Sequence, residues 1–159
     1  MDVLTIKNEK ELRVDCTPIT DDDFENIIEV LEEMIHLMED SGGCGIAAPQ
    51  VGIRKRMFIA MLQSEDEVVF TWFVNPEILE YSEDMETGME ACLSVPGMCG
   101  DVLRHKRIKV KYFNGIEEIV EEYEGMNARI IQHEYDHLIG VLYIDKAENM
   151  REFVAEQKE

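Results

Sequence analysis

A chain of 159 residues is the length of one domain, and 45% hydrophobic with 31% charged residues is the composition of a globular protein that buries its own core. Thirty-five acidic residues against fifteen lysines and arginines leave a formal charge of −20, a field that repels phosphate backbones and anionic lipid and disfavours DNA or a membrane as partner. No apolar signal core opens the chain and no run approaches the length of a membrane span, which points to a cytoplasmic protein.

Residues 1–20 hold short apolar pieces broken by charges and ending at Pro18, the pattern of an irregular or extended arm. From Asp21-Asp22-Asp23 onward, Phe24, Ile27, Ile28, Leu31, Met34, Ile35 and Met38 recur at intervals of three and four. That spacing predicts an amphipathic helix, with aspartates to cap its start and Gly42-Gly43 to end it. His36 lies off the stripe and reads as a solvated side chain. β-Branched and aromatic runs at 57–62, 68–74 and 108–112 predict strands, and Asn114-Gly115 predicts a hairpin turn with 117–123 as the returning strand.

A second helix is predicted from Met126 to about Ile139, stopped by Gly140, and the polar tail, 146–159, is expected to be a short or frayed helix. Strands in the middle, a helix on either side and no βαβ rhythm predict a single α+β domain over 1–159, with a mostly antiparallel sheet packed around the second helix. The four cysteines, Cys16, Cys44, Cys92 and Cys99, form no CxxC pair, so neither a zinc ribbon nor a disulfide framework is indicated.

The chemistry begins in that second helix. His133 and His137 are four apart and share a helical face, so both imidazoles can reach one divalent cation, and Glu134 can reach a water beside it. A hydrolytic site of this kind needs a third ligand. Downstream, Glu148 and Glu152 are candidates, as in a zinc endoprotease; upstream, Glu90-Ala91-Cys92-Leu93-Ser94 is the better one, because it follows Thr87-Gly88 and runs into Val95-Pro96-Gly97, turn chemistry that holds a side chain at the edge of a cleft.

With that segment the sequence resembles the peptide deformylase family. Three motifs carry the resemblance in order: Gly43-Cys44-Gly45-Ile46-Ala47-Ala48-Pro49-Gln50, Glu90-Ala91-Cys92-Leu93-Ser94, and Gln132-His133-Glu134-Tyr135-Asp136-His137-Leu138. Arg104, Val110, Tyr112, Gly115, Ala128 and Arg129 also match, so the likeness covers roughly residues 24–145.

The resemblance implies a deformylase-like fold and removal of the formyl group from N-formylmethionyl nascent peptides. It implies that Cys92, His133 and His137 bind the metal, Fe²⁺ in the cell with Zn²⁺ or Ni²⁺ in purified protein, a choice compatible with a soft thiolate ligand. Glu134 would be the proton carrier, with the Gln50 side-chain amide and the Leu93 backbone N–H as oxyanion donors. Gly43 and Gly45 suit a loop that a peptide backbone must approach closely. By resemblance, main-chain groups of Gly43, Cys44, Gly45, Ile46 and Ala91 pair with the extended substrate. Ile46, Met126 and Ile130 would make the methionine pocket, although each reads equally well as core. Glu90 and Arg104 are expected to pair and support the cysteine loop. Asp136 is given no catalytic role.

Two departures stand out. The family usually has glycine at the position of Ala91, which matters if that residue needs φ > 0. The tail, with Glu152, Glu156 and Glu159 outweighing Arg151 and Lys158, is unsuited to electrostatic docking on ribosomal RNA, so ribosome contact is expected to be transient at most and the protein a monomer. Alternatives are an endoprotease built on the helix motif and a downstream carboxylate, and a slow or non-catalytic deformylase-like module that binds peptides.

Overall fold

A computed structural model describes residues 1–153. In chain order the elements are α1 (Glu9–Leu12), α2 (Phe24–Ser41), β1 (Gly45–Ala47), β2 (Met57–Ser64), β3 (Glu67–Tyr81), β4 (Met85–Cys92), β5 (Val95–His105), β6 (Arg107–Phe113), β7 (Glu118–Glu124), α3 (Gly125–His137) and β8 (Glu148–Glu152). Five strands form one antiparallel sheet in the order β1-β2-β3-β6-β7, and β4-β5-β8 form a second. No helix among the described residues is long and apolar enough to cross a membrane.

Strand alternation decides what covers each face of the larger sheet. Phe58, Ala60 and Leu62 of β2 point to one side, where Phe73, Val110 and Tyr112 join Ala128, Ile131 and Leu138 of α3. Met57 and Ile59 point to the other, against Ile27, Leu31, Met34 and Met38 of α2. α3 is also held to the smaller sheet, where the Gln132 side chain accepts from His105 N–H at 3.2 Å and donates to His105 C=O at 2.9 Å. The predicted α+β organisation around the motif-bearing helix is therefore the observed one.

α2 runs over the expected residues and ends at Gly42, which takes the left-handed φ of +74° that the terminal turn requires. Its start differs in detail: Asp23 caps a preceding 3₁₀ turn by accepting from Thr20 N–H at 2.8 Å. β3 continues past the predicted end at residue 74 because Pro76, which has no N–H to offer, falls in a register shift between Val74 and Glu77. Asn114-Gly115 turns the β6–β7 hairpin within a four-residue loop, the Asn114 Oδ1 accepting from Ile116 and Glu117 N–H at 2.9 Å each.

Three expectations need correction. The arm is not wholly irregular: it forms a 3₁₀ turn at Ile6–Asn8 and the single turn of α1, which buries Leu12. The segment around Cys92 is strand rather than connecting loop, with Cys92 ending β4 and Leu93-Ser94 making a two-residue turn to Val95. The tail is β8, not a helix, over 148–152: it pairs with β5 because its backbone groups find partners on that open edge. The rest of the expected tail helix, 154–159, lies outside the described residues.

Candidate active site

Two elements converge on the site. The β4–β5 hairpin presents Cys92 at its turn, and α3 presents His133 and His137 one turn apart; their ligand atoms all lie within 4.8 Å of one another. Cys92 Sγ is 3.5 Å from His137 Nε2. Such separations suit bonds of about 2.0–2.3 Å to one shared cation, so thiolate and imidazoles fit a soft-to-borderline divalent ion. Burial, and then His133, push His137 well below its ordinary pKa, into the neutral form that binds metal. Burial also opposes charge on His133, but hydrogen bonds with Cys92 and Glu90 outweigh it and raise that group well above 6.5.

His133 is oriented from behind. Its Nδ1 donates to Glu90 Oε1 at 2.7 Å, which leaves Nε2 for the shared centre. Glu90 is held in turn by Arg104, whose Nε and Nη2 each donate at 2.9 Å, and by Arg129 Nη1 at 2.7 Å. Burial raises the Glu90 pKa, but the Arg104 and His133 hydrogen bonds overcome it and leave the carboxyl far below the usual carboxylate range. Arg104 Nη1 also donates to Asp136 Oδ2 at 2.6 Å, and Lys146 Nζ reaches the same oxygen at 3.0 Å. The expected Glu90–Arg104 pair is thus part of a buried network that takes in Asp136 and Arg129.

Glu134 lies 5% exposed beside β1, where an added Cβ on Gly45 would come within 2.6 Å of its Oε2. Burial pushes its carboxyl up to about 7. Among the described residues, Glu134 Oε1 and His137 Nδ1 are buried without a hydrogen-bond partner, so Glu134 keeps an unused acceptor oxygen. Gln50 is fixed from both ends. Its Oε1 accepts from Ala47 N–H at 2.8 Å, while Nε2 donates to Ser94 Oγ at 3.0 Å and lies 3.5 Å from Cys92 Sγ. The amide therefore aims its N–H groups at the cysteine turn. The N-terminal arm braces both loops, Leu4 N–H donating to Gln50 C=O at 2.7 Å and Ile6 N–H to Ser94 C=O at 2.9 Å.

A cleft of about 450 Å³ opens over this centre, the size of a site for a small ligand. Gly43, Cys44, Gly45, Ala91, Met126 and Ile130 all line it, as does Leu93. Gly43 faces Leu93, whose Cδ1 would be 2.8 Å from an added Cβ. Ile46 is a correction: it is fully buried in the cluster against α2, because alternation along β1 turns it away from the cleft that Gly45 faces.

Ala91 does not have positive φ, so the methyl costs no backbone strain, and of the two motives for a slow or non-catalytic module, Ala91 and the acidic tail, the first falls away. Glu148 and Glu152 lie exposed on β8 and are not in the ligand cluster, which removes the endoprotease alternative. Sequence reasoning gave Asp136 no catalytic role and marked Arg129 only as a position matching the family. Arg129 stands four residues before His133, a spacing that could have marked it; Gly88 makes room for its guanidinium, which would be 2.8 Å from an added Cβ.

A cysteine sulfur, two helical imidazoles and a buried carboxyl group at the head of this cleft define the class: a metal-dependent hydrolase. The family model described as polypeptide deformylase matches residues 1–153. The peptide deformylase of Thermotoga maritima is 43% identical over 148 residues, 92% of this chain and 87% of that protein. A crystal structure of peptide deformylase from T. maritima aligns at a TM-score of 0.83 and 42% identity over 92% of this chain and 97% of that one. A Met-Ala-Ser-bound class I type b peptide deformylase from Acinetobacter baumannii aligns at a TM-score of 0.84 and 37% identity, covering 92% and 97% of the two chains. The chain belongs to the polypeptide deformylase family.

Proposed function

We propose that this enzyme removes the N-formyl group from the terminal formylmethionine of newly made polypeptides, releasing formate and a free amine. The observation that carries the reading is the meeting of the Cys92 thiol with His133, His137 and the Glu134 carboxylate at the head of the cleft.

Cys92, His133 and His137 would hold the metal, Fe²⁺ in the cell and Zn²⁺ or Ni²⁺ after purification; when bound, it supplies Lewis-acid polarisation of the formyl carbonyl and acidifies water. Glu134 takes a proton from the attacking water as its oxygen adds to the formyl carbon. Charge then develops on the former carbonyl oxygen, where Gln50 Nε2 and the Leu93 N–H donate hydrogen bonds. Glu134 delivers its proton to the departing nitrogen as the C–N bond breaks. Glu90 keeps His133 in one tautomer throughout, and Arg104 and Arg129 keep Glu90 charged.

The peptide backbone would lie along Gly43–Gly45 and Ala91 like an added strand, with the methionine side chain against Met126 and Ile130. Recognition through backbone suits a substrate whose later residues vary. The Met-Ala-Ser complex of the A. baumannii relative supports a linear peptide as occupant. The domain over 1–159 works as a cytoplasmic monomer that meets nascent chains transiently, since a net charge of −20 opposes stable contact with ribosomal RNA.

The test is formate release from formyl-Met-Ala-Ser by protein loaded with Fe²⁺ without oxygen. Turnover that disappears in Glu134→Ala while the metal is retained supports the reading, and no release by the unaltered, loaded protein overturns it.

A further inference from the structure

The two groups that place the Gln50 amide come from different sheets. Gln50 lies in the 3₁₀ turn Ala48–Val51 that follows β1 of the larger sheet, and Ala47 N–H fixes the acceptor end of its amide from within that loop. Ser94, whose Oγ accepts from Gln50 Nε2 at 3.0 Å, lies in the turn between β4 and β5 of the smaller sheet. The aim of the donor end therefore depends on how far the Ser94 turn stands from the Gln50 turn. The N-terminal arm ties the two across that gap: Leu4 N–H donates to Gln50 C=O at 2.7 Å and Ile6 N–H to Ser94 C=O at 2.9 Å. Thr5 between them is extended, with φ −117° and ψ 178°, so the two N–H groups face the same way, about 7 Å apart along the chain. The arm is itself anchored at the end of α3 beyond His137. Leu12 is fully buried, Arg13 Nη1 donates to Gly140 C=O at 3.1 Å, and Cys16 N–H donates to Leu138 C=O at 2.9 Å. Val14 passes so near Gly140 that an added Cβ there would be 3.1 Å from its N and O.

We infer that Leu4 and Ile6 are positioning residues for the reaction: through their N–H groups the N-terminal arm sets the separation between the Gln50 and Ser94 turns, and so aims the Gln50 amide at the oxygen on which charge develops. The inference rests on the deformylase reading, with Gln50 as oxyanion donor. Such a donor acts only when it lies about 2.7–3.1 Å from the charged oxygen. Slack between the two turns therefore lowers the rate, while binding of the uncharged substrate changes little. The Ile6 side chain is 42% exposed, so what Ile6 supplies here is its N–H.

Ile6→Pro deletes that N–H with little other change. Ile6 opens a 3₁₀ turn, where proline shares the helical φ, and the extended Thr5 before it already has the backbone that a proline requires of its predecessor. The experiment measures formate release from formyl-Met-Ala-Ser by metal-loaded protein. Ile6→Pro is expected to lower kcat about tenfold, with KM changed by less than about twofold and the metal kept. Ile6→Ala, which keeps the N–H, should hold kcat near that of the unaltered enzyme. In a Gln50→Ala background the same proline should cost less than about twofold, because the donor it aims is gone. If Ile6→Pro does not fold, Leu4→Pro, which removes the other tie, is compared in the same two backgrounds. An unchanged kcat in the proline variant, an equal loss in Ile6→Ala, or the same loss in both backgrounds overturns the positioning role alone. Absence of turnover by the unaltered enzyme overturns the deformylase reading, and the positioning role with it.

Discussion

Glu90 holds His133 by a 2.7 Å hydrogen bond to Nδ1 while its remaining acceptor positions are taken by two arginines. One carboxylate on β4 therefore fixes a ligand on α3 and, together with Asp136, balances the charge of two buried guanidinium groups. Replacing it with Glu90→Gln strands that positive charge, and the expected cost is about 3–5 kcal/mol of stability. Metal affinity should fall by about 10- to 100-fold with it, the usual effect of losing a partner behind a ligand. Urea unfolding and metal titration measure the two effects, and wild-type values for both would contradict the assigned role.

Gly45→Ala tests the packing of the base. The added methyl would come within 2.6 Å of Glu134 Oε2, and that carboxylate, hemmed in by burial, must turn. A displaced base should lower kcat by about 100-fold while the metal stays bound. Loss of metal along with activity would point to a wider collapse of the site than this geometry predicts.

Gln50→Ala removes the side-chain donor that Ala47 and Ser94 hold in place. A fall of about 10²–10³ in kcat is expected, with a much smaller change in KM, since the bond strengthens as charge develops on oxygen. A change confined to KM would make Gln50 a binding residue instead.

Cys92→Ala and Glu148→Ala separate the two possible third ligands. The cysteine variant should lose stoichiometric metal and the glutamate variant should keep it, as read by elemental analysis after gel filtration. The reverse pattern would return the site to the endoprotease type.

The pH dependence of stability should carry a contribution from Asp145. Hydrogen bonding to Arg13, with help from the Leu142 N–H, holds its carboxyl below the usual carboxylate range despite some burial. A folded-state pKa below the unfolded one means the stabilisation is present above pH ~4 and is lost as pH falls through the lower, folded value. Acid unfolding of Asp145→Asn should therefore show a shallower loss below pH ~4 than the unaltered chain; identical slopes would dismiss the pair as a contributor.

Local order along the chain was enough to mark α2, α3, β2 and the β6–β7 hairpin, since apolar periodicity and turn residues act within a few positions. It also brought out His133, Glu134 and His137, whose geometry is that of a single helix. Cys92 stood out as a third-ligand candidate from the turn residues around it, but the roles of Gln50 and Leu93 were legible only as motifs whose order matched a family, because their meeting depends on strands and loops far apart in sequence. What the tertiary structure alone decided is pairing between distant segments: the β4-β5-β8 sheet, with its glycines, Pro96 and a buried Glu90, has no clean alternation to read. The same holds for Ile46 turning to the core, for Arg129 and Asp136 joining the network behind the ligands, and for the N-terminal arm reaching Gln50 and Ser94. Each is settled by which partner offers the complementary surface or charge, and no window of neighbouring residues contains that partner.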